Sequence, residues 1–126
     1  MNRRGFSLIE VLIALVILAV ISLSLGRFVG SFLHTVGVSS ARTVSTAVAQ
    51  EQVEQIRANP AYTTLVATYN NNSVTGFPGY PRMNRLTRVT RTTGNTPRRD
   101  YTTVTVTVSE PTMGLPVNLT VVVAAP

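Results

Sequence analysis

The chain has 126 residues, 44% of them hydrophobic, with no cysteine, no lysine, one histidine at His34, and eleven arginines against five acids. Once an apolar anchor is set aside, that leaves room for a single small domain and excludes a disulfide framework. One histidine, no cysteine and a few scattered acids form neither a catalytic triad nor a metal cluster, so no enzyme and no cofactor are expected.

The first element is an apolar run. Arg3 and Arg4 precede Gly5, and from Phe6 to Leu25 the only polar side chains are Ser7, Glu10, Ser22 and Ser24. This length is enough for one helix to cross a bilayer. An ionised carboxylate in hydrocarbon costs on the order of 3 kcal/mol, so Glu10 marks a function and lacks a partner. The run Arg3-Arg4-Gly5-Phe6-Ser7-Leu8-Ile9-Glu10 followed by apolar sequence resembles the class III leader of type IV prepilins and pseudopilins. The resemblance implies that a prepilin peptidase on the cytoplasmic face cuts after Gly5 and that the new N-terminus, Phe6, is N-methylated. It also implies that Glu10 neutralises the Phe6 amine of a neighbouring subunit during filament assembly. Elementary electrostatics agrees, because a cation in low dielectric is the partner this carboxylate lacks. Two plainer readings compete. An ordinary secretory signal could be cut after Gly26, but Glu10 would only harm a disposable signal. A simple single-span anchor explains the length and leaves Glu10 unexplained. Arg3 and Arg4 put the N-terminus in the cytoplasm under either membrane reading.

The helix is expected to continue past the membrane, because no proline occurs before Pro60. Ala41, Val44, Val48, Ala49, Val53 and Ile56 fall within about half the helix circumference, with Gln50, Glu51, Glu54 and Arg57 opposite. A helix from Phe6 to about Arg57 would be roughly 75 to 80 Å long at about 1.5 Å per residue. Gly26, Gly30 and Gly37 make its middle the weakest part, as a tolerated weak spot or a place of local melting.

After Pro60 the composition turns to Asn, Gly, Pro, Thr and Tyr, and residues 70–81 read as a loop anchored by Phe77 and Tyr80. Three strands should follow. Arg85 to Thr93 is the first, with Gly94-Asn95-Thr96-Pro97 as its turn. Tyr101 to Ser109 is the second, with Val104, Val106 and Val108 on one face and Thr103, Thr105 and Thr107 on the other. A third carries Val117, Leu119, Val121 and Val123 on one face, reached through a Pro111–Pro116 connection. The expected fold is α+β: a long N-terminal helix with a small antiparallel meander on its second half, the pilin fold that the resemblance implies. The organisation is a leader at 1–5, a transmembrane and polymerisation half at 6–30, and a globular head at 31–126. The head comprises the distal helix, a loop at 58–82 and the meander at 83–124.

Charge is uneven. Residues 6–57 hold three arginines and three acids, whereas residues 58–126 hold six arginines against Asp100 and Glu110. Arg85, Arg91, Arg98 and Arg99 are the candidate contacts for DNA or another ligand. On a strand Arg85 and Arg91 point one way and Arg88 the other, which dilutes the patch, and few aromatics lie nearby to stack bases. The plainer reading is charged edge residues that block strand aggregation or pair with neighbouring subunits.

The reading that results is a structural filament subunit, with the short head, the lack of cysteine and the segment Ala49–Pro60 most like PilV-type minor pilins or GspI-type minor pseudopilins of type II secretion. The expected partners are other pilin or pseudopilin subunits, prepilin peptidase, an inner-membrane assembly platform and the lipid bilayer. The expected location is the bacterial inner membrane before assembly and a periplasmic or cell-surface filament after it. A DNA- or surface-binding pilin of a competence or adhesion filament is the alternative, with nucleic acid as its partner.

Overall fold

A computed structural model describes residues 5–126; residues 1–4, with Arg3 and Arg4 of the expected leader, lie outside the described residues. The chain divides into two compact units, one ending at Val36 and one from Gly37 to Pro126. Helix α1, Leu8–Arg57, runs through both as 50 unbroken residues, including Gly26, Gly30 and Gly37.

In the first unit every described side chain is exposed, and the most apolar 18-residue window has a mean hydropathy of 2.9. The polar residues of this stretch satisfy themselves locally. Ser22 Oγ donates to the Leu18 carbonyl at 2.8 Å and Ser24 Oγ to that of Val20 at 2.9 Å. Bonding back to the preceding turn lets a hydroxyl sit in an apolar run without an orphaned donor. Glu10 has no such recourse.

In the second unit, Ala41, Val48, Ala49, Val53 and Ile56 are buried and Gln50, Glu51, Glu54 and Arg57 exposed, as the periodicity predicts, while Ser45 and Gln52 join the buried face and Val44 is only half-buried. Arg57 ends the helix, where Asn59 Oδ1 accepts the Ala61 amide at 2.9 Å and leads the chain into a 3₁₀ turn, Tyr62–Thr64, and a short helix α2, Leu65–Tyr69. The sheet has four strands in the order β1 (Asn72–Phe77), β2 (Tyr80–Asn95), β3 (Arg98–Ser109) and β4 (Val117–Ala124), all antiparallel.

The count of three strands is therefore corrected to four, and the loop at 58–82 to a turn, a helix and a strand. The glycines and prolines of residues 70–81 punctuate a hairpin rather than a loop. Asn71 at φ 56° starts β1, and Gly76 and Gly79, at φ 86° and 77°, make the bulge and turn that return the chain into β2. Glycine adopts these conformations without the steric cost that other residues incur. The first expected strand, Arg85–Thr93, is the middle of β2, which is longer because β1 pairs along its first half.

Val104, Val106 and Val108 of β3 are fully buried beneath α1 with Met83 and Val89 of β2, while Leu119, Val121 and Val123 of β4 pack partly against them. Two polar side chains share this layer. The hydroxyls of Thr87 and Thr102 are buried with no hydrogen-bond partner among the described residues. An unpaired buried hydroxyl costs about 1–3 kcal/mol, whereas an apolar group of the same shape does not. Thr87→Val is therefore expected to stabilise the chain by about 1 kcal/mol, and Ile56→Ala, which empties a fully buried site, to destabilise it by about 2–5 kcal/mol. Denaturant unfolding of the detergent-solubilised chain, followed by circular dichroism, measures both.

Candidate functional site

The sequence singles out two regions. In the first, Gly5, Phe6 and Ser7 precede α1, and the Ser7 carbonyl accepts the Glu10 amide at 3.1 Å and the Val11 amide at 3.2 Å, which starts the helix. Phe6 is 86% exposed, and Glu10 shares a shallow open groove with it, bounded by Val11, Ala14, Leu15 and Leu18. Among the described residues Glu10 makes no ion pair. A carboxylate in an otherwise apolar groove, at the N-terminal end of the helix where the helix dipole favours a negative charge, is placed to accept a cation.

In the second region the four candidate arginines separate. Arg91 is held by Asp100 through two bonds, Nε to Oδ1 at 2.9 Å and Nη2 to Oδ2 at 2.6 Å. Tyr62 Oη donates to the same Asp100 Oδ1 at 3.0 Å, and the Arg91 guanidinium lies over the Tyr62 ring, 5.1 Å from its centroid. This bidentate, planar arrangement suits arginine and would not suit lysine. Arg85 lies over the Phe77 ring at 5.7 Å, and burial lowers its pKa, with the charge of Glu51 opposing that shift. Arg98 and Arg99 begin β3 beyond the tight Thr96–Pro97 turn, and both are exposed, as are Arg82 and Arg88. The structure thus brings Arg91 together with Asp100 and Tyr62, and leaves Arg98 and Arg99, which face opposite ways at the hairpin tip, outside every ion pair among the described residues.

Tyr62 and Asp100 escape a reading of the sequence as members of this cluster. Asp100 stands directly after two arginines and looks paired to them, whereas strand alternation turns it toward Arg91. Nothing local marks Tyr62, because its contact spans 38 residues.

Residues 1–26 match the prokaryotic N-terminal methylation motif. The chain opens on a methylation motif. Gly5, Phe6 and Glu10 all lie within the matched residues. The chain is also similar to the type II secretion system protein I of Vibrio cholerae serotype O1, 36% identical over 59 residues that cover 47% of this chain and 50% of that protein. It therefore spans about half the length of that curated relative. No solved structure matches the chain. The motif, the relative and the α+β fold agree with the resemblance to pilins and pseudopilins.

The Arg91 clamp gives a pH dependence. The hydrogen bond from Arg91 holds the Asp100 carboxyl below the ordinary aspartate range; burial opposes the shift and the Tyr62 hydroxyl adds to it. The same bond raises Arg91. A carboxyl lowered by folding contributes stability above its unfolded value, near pH 4, and loses it as the pH falls through the folded value. Asp100→Asn is therefore expected to melt below the native chain at neutral pH, with the gap closing below about pH 4. Melting temperatures of the two chains between neutral pH and pH 2.5 measure that gap.

Proposed function

We propose that the chain is a structural filament subunit, a minor pseudopilin of a type II secretion-like system or a minor pilin of a type IV pilus. Residues 6–30 hold it in the bacterial inner membrane with the N-terminus in the cytoplasm. Prepilin peptidase cuts after Gly5, Phe6 is methylated, and the processed subunit joins other pilin or pseudopilin subunits through the first half of α1 at an inner-membrane assembly platform. Glu10 neutralises the Phe6 amine of a neighbouring subunit. The finished filament lies in the periplasm or at the cell surface.

The observation that carries this reading is one coincidence of place. The methylation motif at 1–26 ends inside the apolar first half of α1, which is uncovered among the described residues, and Glu10, the one acid of that half, stands four residues after the expected N-terminus. Lipid covers such a surface before assembly, and neighbouring helices cover it afterwards. Of the four candidate arginines, a nucleic-acid reading would keep only Arg98 and Arg99, because Arg85 and Arg91 are engaged with Phe77, Tyr62 and Asp100. The geometry favours the filament subunit.

N-terminal mass spectrometry of the mature chain tests the proposal. The expected product begins at Phe6 with one added methyl group on its amine. A product beginning at Arg27 identifies a discarded secretory signal and overturns the reading.

A further inference from the structure

Among the described residues no strand pairs with the outer edge of β4. The Ala125 amide donates to the Asp100 carbonyl at 3.1 Å, next to the Ala124–Tyr101 pair. In an antiparallel ladder hydrogen-bonded pairs alternate with open ones, so Val117, Leu119, Val121 and Val123 bond to β3, and Asn118, Thr120, Val122 and Ala124 turn their N–H and C=O groups to the free side. This edge is regular over eight paired positions. The opposite edge, β1, is broken by a bulge between Thr75 and Phe77.

Exposed edges are ordinarily blunted by charge, proline or bulges, because they template the addition of another strand. Here none of these devices is present within the strand: β4 holds no charged residue, no proline and no bulge. Val122 is 58% exposed, and the inner row of Leu119, Val121 and Val123 is only half covered.

Charge selects the occupant. Arg98 and Arg99 stand on β3 just past the Ala124 end of β4, exposed and outside every ion pair among the described residues. A strand added to β4 would lie about 10 Å from β3, within reach of an arginine and a carboxylate meeting side chain to side chain. A second copy of this chain brings no free sheet acid to that place. Asp100 is bound by Arg91 and Tyr62, and Glu110 is 9% exposed and accepts the Thr112 amide at 2.7 Å.

We infer that the β4 edge receives an extended strand of a different protein, uncharged where it pairs and carrying a carboxylate beside Arg98 and Arg99. Main-chain bonds supply the attachment, and the arginines set which end of the strand lies at the hairpin tip. The inference rests on the subunit reading only in its choice of candidates, which are the other pilin-like subunits of the same system.

The test uses the full-length chain in membranes, carrying p-benzoyl-phenylalanine at Val122 and co-expressed with each of those subunits in turn. The expected result is a light-induced one-to-one adduct with one of them, reduced about tenfold by Thr120→Pro, which removes an outward N–H without touching the β3 ladder. Arg98→Glu with Arg99→Glu should lower the same adduct. If Thr120→Pro yields no protease-resistant head, Thr120→Lys serves in its place. An adduct of the chain with itself alone, an adduct indifferent to Thr120→Pro or Thr120→Lys, or no protein adduct overturns the inference. Cleavage after Gly5, scored on the same chain, tests the subunit reading separately, so a correctly processed chain without an adduct defeats only the edge.

Discussion

The head depends on how closely the sheet can approach the second half of α1. Ala41, Ser45 and Ala49 recur at four-residue spacing on its buried face and are each fully buried. Small side chains there leave room for the valines of β3 and for Met83 to pack with the helix, and for buried Met113 of the β3–β4 connection, whose sulfur accepts the Ser45 hydroxyl at 3.3 Å. Larger residues on this face would hold the sheet away, and close packing leaves little room for adjustment. Other contacts follow from that approach, including Ser40 to Tyr80 at 2.9 Å, which ties the β1–β2 hairpin to the helix.

Much of this was legible in the residues. Alternation in Val104-Thr105-Val106-Thr107-Val108 gives both the strand and its buried face, because one sheet face packs and the other meets water. The helical face from Ala41 to Ile56 is equally plain. Ser45 and Gln52 are buried on it too, although hydropathy alone would leave them out. Strand β1 was not legible, since Asn72-Ser-Val-Thr-Gly-Phe77 lacks an apolar alternation and five of its six residues are exposed. It exists because β2 offers an edge and Gly79 permits the turn. Contacts of the sheet also decide what the arginines do. Their opposite facing at Arg85 and Arg88 follows from strand parity, whereas the capture of Arg91 by Asp100 and Tyr62 depends on where the chain returns after α1.

The two units answer different physical demands. The head buries its apolar residues within itself and places exposed charge at the hairpin tip. The first unit leaves Phe6, Leu8, Ile9 and the residues after them uncovered, a surface that water does not tolerate and that a bilayer or a bundle of like helices does. Glu10 separates those two environments. For the subunit proposed above, Glu10 is a cost in lipid and half of an ion pair beside the amine of another chain, so on that proposal one residue opposes residence in the bilayer and favours assembly.

That balance can be measured on Glu10→Leu. In cells making the filament, membrane fractions and sheared or purified filaments can be assayed for the native and the variant chain. The account predicts that the variant is cleaved and enters the membrane as well as the native chain, while its share in filaments falls at least about tenfold, the loss expected when a low-dielectric charge pair is broken. Incorporation of Glu10→Leu at the native level would contradict it.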